Sequence, residues 1–205
     1  SLTQEDAPPR RTVDQVEGTK GTSPASGSLD GTWRTIEGST AGYRIKESFV
    51  GGLTDSEAVG STSEVAGTLE ISGATISKAS FEVQVAGLRS DKDRRDNQAR
   101  RVLDVDQFPT ATFELTQPIE LGKVPAEGAK TTAEAAGDLT VKGTTRPVTF
   151  TVAAKHTGSQ IAVDASIPFA FADFDVDIPS IPGIVSVVDQ GAIEVVLVFA
   201  PEATK

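Results

Sequence analysis

Few side chains in this 205-residue chain could do chemistry. His156 is the only histidine, and cysteine and methionine are absent. A metal or haem ligand needs partners of those types, so neither a metal centre nor any cofactor is expected. His156 stands at the end of an alternating run close to Gly158 and reads as a solvated strand-end side chain. A Ser-His-Asp triad would need the same histidine, and no Gly-x-Ser-x-Gly turn accompanies it. Asp173, Asp175 and Asp177 have the spacing of the first calcium-loop ligands. That loop requires Gly at its sixth position and Glu at its twelfth, where Ile178 and Ile184 stand, so these read as solvated carboxylates. Arg94, Arg95, Arg100 and Arg101 could fork onto an anionic group. Asp91, Asp93, Asp96 and Asp104 lie among them and offer simpler partners. No catalytic set emerges, and the chain is not expected to be an enzyme.

The elements that would hold these residues are mostly strands. In Gly137 to Val152, Leu139 and Val141 alternate with polar neighbours, a turn follows at Lys142-Gly143-Thr144, and Val148, Phe150 and Val152 alternate again. Period two with one apolar face and a glycine turn marks an antiparallel hairpin with one wet face. The same pattern recurs at Tyr43 to Phe49, Val65 to Ile71, Ala79 to Val85, Ala111 to Leu115, Ile161 to Phe171 and Ile193 to Phe199. Gly51 to Ser63 reads as a polar loop. About eight antiparallel strands close most economically into a barrel without free edges. The alternative is a two-sheet sandwich. Ser90 to Asp93 resembles a capping box, and Ala99, Val102 and Leu103 follow helical spacing behind it. Asp91 with Arg95 and Asp96 with Arg100 are i, i+4 pairs. This helix would cap one barrel end, and a second cap is expected between Phe171 and Val188.

Residues 1–29 are rich in Pro, Gly, Ser and Thr and read as a flexible arm or membrane-tether linker, dispensable for folding. Residues 30–201 form the barrel domain. A net charge of −10 excludes a nucleic-acid partner, which needs a basic face. The chain has no apolar run of membrane-spanning length, and with no Met at position 1 a signal or anchor segment is expected upstream.

Two stretches resemble the YceI-like, polyisoprenoid-binding family. One is Gly137-Asp-Leu-Thr-Val-Lys-Gly-Thr-Thr-Arg-Pro-Val-Thr-Phe150. The other is Arg95-Asp96-Asn97 followed by Asp104 and Phe108-Pro109-Thr-Ala-Thr-Phe113. Gly31-Thr-Trp33 and Ile167-Pro-Phe169 also fit, whereas Gln98 stands where relatives often have His. The Pro-rich arm and Ala41-Gly-Tyr-Arg-Ile-Lys46 look like actinobacterial members. The resemblance implies an all-β, eight-stranded, lipocalin-like antiparallel barrel with one or two short capping helices. It implies an isoprenoid or other long-chain lipid in an apolar bore, carried, stored or sequestered outside the cytoplasm, near a membrane; a homodimer is compatible with it. Its lining would come from Tyr43, Ile45, Phe49, Leu69, Phe81, Val83, Val85, Leu103, Phe108 and Phe113, then Leu139, Phe150, Val152, Ile167, Phe169, Phe171 and Phe174. Arg94 and Arg95 are the head-group candidates, at the helix-bearing end. The rival reading is a solid-cored structural or stress-related envelope domain without a ligand.

Overall fold

A computed structural model describes residues 7–18, 28–48, 55–178 and 186–202. The strands are β1 (Gly31–Thr35), β2 (Thr40–Ser48), β3 (Asp55–Thr62), β4 (Val65–Ser72), β5 (Thr75–Gln84) and β6 (Thr110–Leu115). They continue with β7 (Ile119–Glu120), β8 (Lys130–Val141), β9 (Thr144–Thr157), β10 (Gln160–Phe169) and β11 (Ser186–Pro201). Among the described residues one α-helix, α1 (Asp93–Val102), interrupts them. Strands β1, β4, β5, β6, β8, β9, β10 and β11 pair in that order, and β11 returns to β1, closing an eight-stranded antiparallel barrel. β2 and β3 prolong the wall at one end: Arg34 pairs with Thr68 and Ala41 with Thr62, so the chain runs as one long broken hairpin.

Local chemistry accounts for the corners. Val141 faces Thr144, leaving Lys142 and Gly143 as a two-residue turn with φ of 50° and 75°. Two positive φ values define a type I′ turn, whose twist suits a hairpin. A Cβ on Gly143 would also lie 2.6 Å from Phe108 Cε1. Lys142 Nζ donates to the Asp175 carbonyl at 2.7 Å and thereby ties this turn to the 3-10 turn Phe171–Phe174.

Four expectations are corrected. Residues 55–62 form β3 rather than a polar loop, paired with β2 from Ser48 to Ala41. Their backbone makes the ladder while their side chains carry almost no apolar period, and Gly60 leaves space for the Tyr43 ring, 2.6 Å from where a Cβ would be. The alternating series expected to reach Phe171 stops at Phe169, where the 3-10 turn follows. The capping box at Ser90 and Asp93 is replaced by another contact. The Ser90 amide and hydroxyl both donate to Asp96 Oδ1, at 2.8 and 2.7 Å, and Asp96 is therefore buried and not paired with Arg100. The i, i+4 pair Asp91–Arg95 does form.

The last correction concerns the arm. Residues 7–18 lie along the outer wall. Val13 is 0% exposed, and its amide donates to Asp164 Oδ2 at 2.8 Å. Arg10 pairs with the other oxygen of the same buried carboxylate. Arg44 Nη2 donates to the Pro8 carbonyl, and Asp14 accepts from Lys130 Nζ at 2.9 Å. One valine and one outward aspartate in β10 decide the docking, and neither is a periodic signal. Truncating Val13 to Ala removes two buried methyl groups, so stability should fall by about 1.5–2.5 kcal/mol. Thermal melting should register this as a drop of roughly 3–10 °C; an unchanged melt would show that the strap contributes nothing.

Candidate functional site

Alternation turns one set of side chains into the barrel, and at one end they leave a gap. The resulting cavity, about 130 Å³, is lined almost wholly by carbon. Its walls include Leu69 and Ile71 of β4, Ala133 and Ala135 of β8, Val163 of β10 and Leu197 of β11. Phe81, Phe113 and Phe150 form its floor: Phe81 stacks on Phe113 at 5.4 Å, and Phe113 meets Phe150 edge-on at 5.2 Å. The rim is made by Leu29, Gly73, the segment Leu121 to Pro125, and His156 at the end of β9. Val124 at that rim is 42% exposed, so the cavity meets the surface there.

Beyond the phenylalanine floor, the described inward side chains pack on one another. Leu139, Val83, Ile167, Phe174 and Val176 are buried in the same core, with Val102 and Leu103 of the helix region packed on it. Phe169 meets Phe171 at 4.9 Å and Phe174 at 6.5 Å.

The structure therefore divides the residues nominated from sequence. Leu69, Phe81, Phe113, Phe150 and Val152 line the cavity. Val83, Leu139, Ile167, Phe169, Phe171, Phe174 and Leu103 belong to the packed half instead. Tyr43, Ile45, Val85 and Phe108 lie outside the cavity lining, towards the helix-bearing end. Phe49 lies outside the described residues. Lining residues that sequence reasoning missed include Ile76, Ile119, Leu121 and His156. His156 had a signal, because it continues the parity of Val152 and Ala154; Leu121 to Pro125 had none.

Arg94 and Arg95 stand at the opposite end from the cavity. α1 follows the far end of β5, whereas the rim residue Gly73 precedes its start. Arg94 is exposed. Arg95 is half-buried between Asp91 and Glu47, whose Oε2 lies 3.3 Å away. Burial works against its charge, yet Glu47 and Asp91 hold the guanidinium above its ordinary value. That is an ion pair fastening the helix to β2. Among the described residues no cluster of His, Cys, Asp or Glu could hold a metal ion.

Residues 35–199 match the YceI-like domain. Among solved structures, a polyisoprenoid-binding domain from Saccharophagus degradans superposes with a TM-score of 0.64 at 12% identity, covering 83% of this chain and 98% of that one. The Burkholderia cenocepacia protein BcnA gives 0.59 at 23% identity, covering 81% and 96%. The Campylobacter jejuni YceI protein gives 0.52 at 15%, covering 71% and 85%. At these identities the likeness is one of fold. No curated protein matches the sequence significantly.

Tyr43 offers a direct test of the helix end. Burial, opposed by Arg95 and reinforced by Asp96, Glu47 and Asp91, pushes its hydroxyl up to about 12. It is the sole tyrosine, so the absorbance of tyrosinate reports it alone. Its folded value is raised, so its contribution to stability is complete below about 10 and is lost as pH rises from there towards 12. A spectrophotometric midpoint near 10 in the folded protein would show that the ring is not enclosed.

Proposed function

Because the chain belongs to the YceI-like domain family, we propose that it binds an isoprenoid or related lipid in the barrel cavity and carries, stores or sequesters it outside the cytoplasm. The supporting observation is the cavity itself: a carbon-lined space that reaches the surface at one rim and ends on three interlocked phenylalanines. Burying hydrocarbon there yields about 25 cal/mol per Å², without any polar contact to specify it. The likeness to a polyisoprenoid-binding domain supports the choice of lipid. The extracytoplasmic setting rests on the family resemblance. The chemistry assigned is binding, by walls that are mostly hydrocarbon. The second reading, a filled structural barrel, is favoured by the packed half beyond the floor.

Organic extraction of purified protein and mass spectrometry separate the two, a recovered prenyl lipid supporting carriage. The floor sets a further expectation. Affinity for a series of prenols should rise with tail length over the first few isoprene units and then level off, because later units lie beyond the rim. Ala133→Phe, placed midway along the cavity wall, should weaken binding by about tenfold or more, as the loss of two buried methylenes' worth of area would. The double change of Arg94 and Arg95 to Ala should leave affinity unchanged. Failure of every prenol to bind would leave the filled barrel as the better reading.

A further inference from the structure

The cavity's polar inventory is short enough to name the head group it suits. On β9 the inward series Phe150, Val152 and Ala154 ends at His156, which faces Ile161 across the β9–β10 ladder. On β8, Ala135 and Ala133 share that face, and Thr131 continues it opposite Ala154. Lys155 and Ser80 also border the cavity, but both have outward parity. Ser80 bonds to the Thr68 hydroxyl at 3.0 Å. Lys155 pairs with Lys130 on the outer face, where Asp14 of the arm lies close to both. Among the described lining residues, the inward hydrogen-bonding side chains are therefore His156 and Thr131, with no inward lysine, arginine or carboxylate.

The ring of His156 is held. Its Nε2 lies 2.7 Å from the Gly158 carbonyl. A carbonyl only accepts, so Nε2 carries the proton and, in the neutral ring, Nδ1 presents a lone pair. Nδ1 has no partner among the described residues. The rim loop fixes the backbone around it: the Gly128 amide donates to the His156 carbonyl at 2.8 Å, and the Gly158 amide to Glu127 Oε1 at 2.9 Å. A lone pair with a hydroxyl near it suits a ligand atom that both donates and accepts. A phosphate would meet no inward lysine or arginine, and a quinone carbonyl cannot donate.

We propose that His156 is the head-group acceptor of this cavity, assisted by Thr131, and that its lipid ends in a hydroxyl, as a prenol or prenylated hydroquinone does. This rests on the lipid-binding reading above. Three probes with one tail test it: farnesol, farnesyl methyl ether and farnesyl phosphate, each competing with N-phenylnaphthylamine for the 205-residue chain. Wild type should prefer farnesol to the ether by about two- to tenfold, the worth of one neutral hydrogen bond, and should bind the phosphate least. His156→Phe should erase the preference while keeping ether affinity. His156→Gln, whose amide carbonyl accepts the same bond, should retain it. Thr131→Val, nearly isosteric, reads the hydroxyl from across the rim should the Phe variant fail to fold, and it should weaken farnesol but not the ether. Equal binding of farnesol and ether, a phosphate that binds best, or a preference that survives both His156→Phe and Thr131→Val overturns the assignment while leaving lipid binding intact. If none of the three probes competes, the lipid reading itself falls, and this inference with it.

Discussion

Ring closure by β11 is the constraint on which the rest depends. One edge of this strand lies along β10 from Gly191 to Phe199, while its other edge takes β2 over Ser186 to Val196 and then β1 over Phe199 to Pro201. Without the short β1 contact the wall would be an open sheet with two exposed edges. Trp33 sits at that seam. It faces Leu69 on one side, is 1% exposed, and satisfies its indole by donating to the Leu29 carbonyl at 2.8 Å. The largest side chain in the protein thus packs the place where the barrel shuts. The same hydrogen bond fixes Leu29 at the cavity rim.

A closed barrel has a fixed interior, and eight strands leave room either for side chains or for one small ligand. This chain does both, in halves. Phenylalanines at matched positions on β5, β6 and β9 stack across the bore and divide it. On the helix side, Leu139, Phe174 and Ile167 fill what remains. On the other side, the inward positions include Ala79, Ala133, Ala135, Ala154 and Ala165, and the volume these small residues leave contributes to the cavity. The order of small and large residues along each strand decides which half is empty.

Much of this was legible from sequence because period two speaks directly to which face is buried. The strand count, the antiparallel hairpin at Lys142-Gly143 and the apolar bore all follow from alternation. What escaped was information that alternation does not carry. Asp55 to Thr62 makes its ladder through backbone groups that any side chains share, so β3 read as loop. Val13 docks because Asp164, an outward residue on another strand, meets its amide, and no spacing announces a contact 151 residues apart. The candidate site was blurred in a different way. Alternation says which residues point inward but not at what depth, so phenylalanines of the packed half were pooled with those of the cavity floor. Depth depends on register between strands, and that register exists only once the ring is closed.

Alternation also governs charge, and charge bears on what can occupy the bore. The outward positions carry the ions: Arg44 spans Glu57 and Glu194 at 2.6 and 2.8 Å, Lys78 meets Glu70 at 3.1 Å, and Lys130 meets Asp14 at 2.9 Å. The exposed pairs of Lys78 and Lys130 add little stability, but the excess of carboxylates leaves the molecule at −10. An anion approaching the rim meets that field from outside, and an anion drawn inwards loses its hydration with no cation to replace it. A neutral chain meets neither penalty, and its apolar area counts in full. The pattern that keeps carbon inside and carboxylates outside therefore selects against anions at the rim and favours hydrocarbon at the floor.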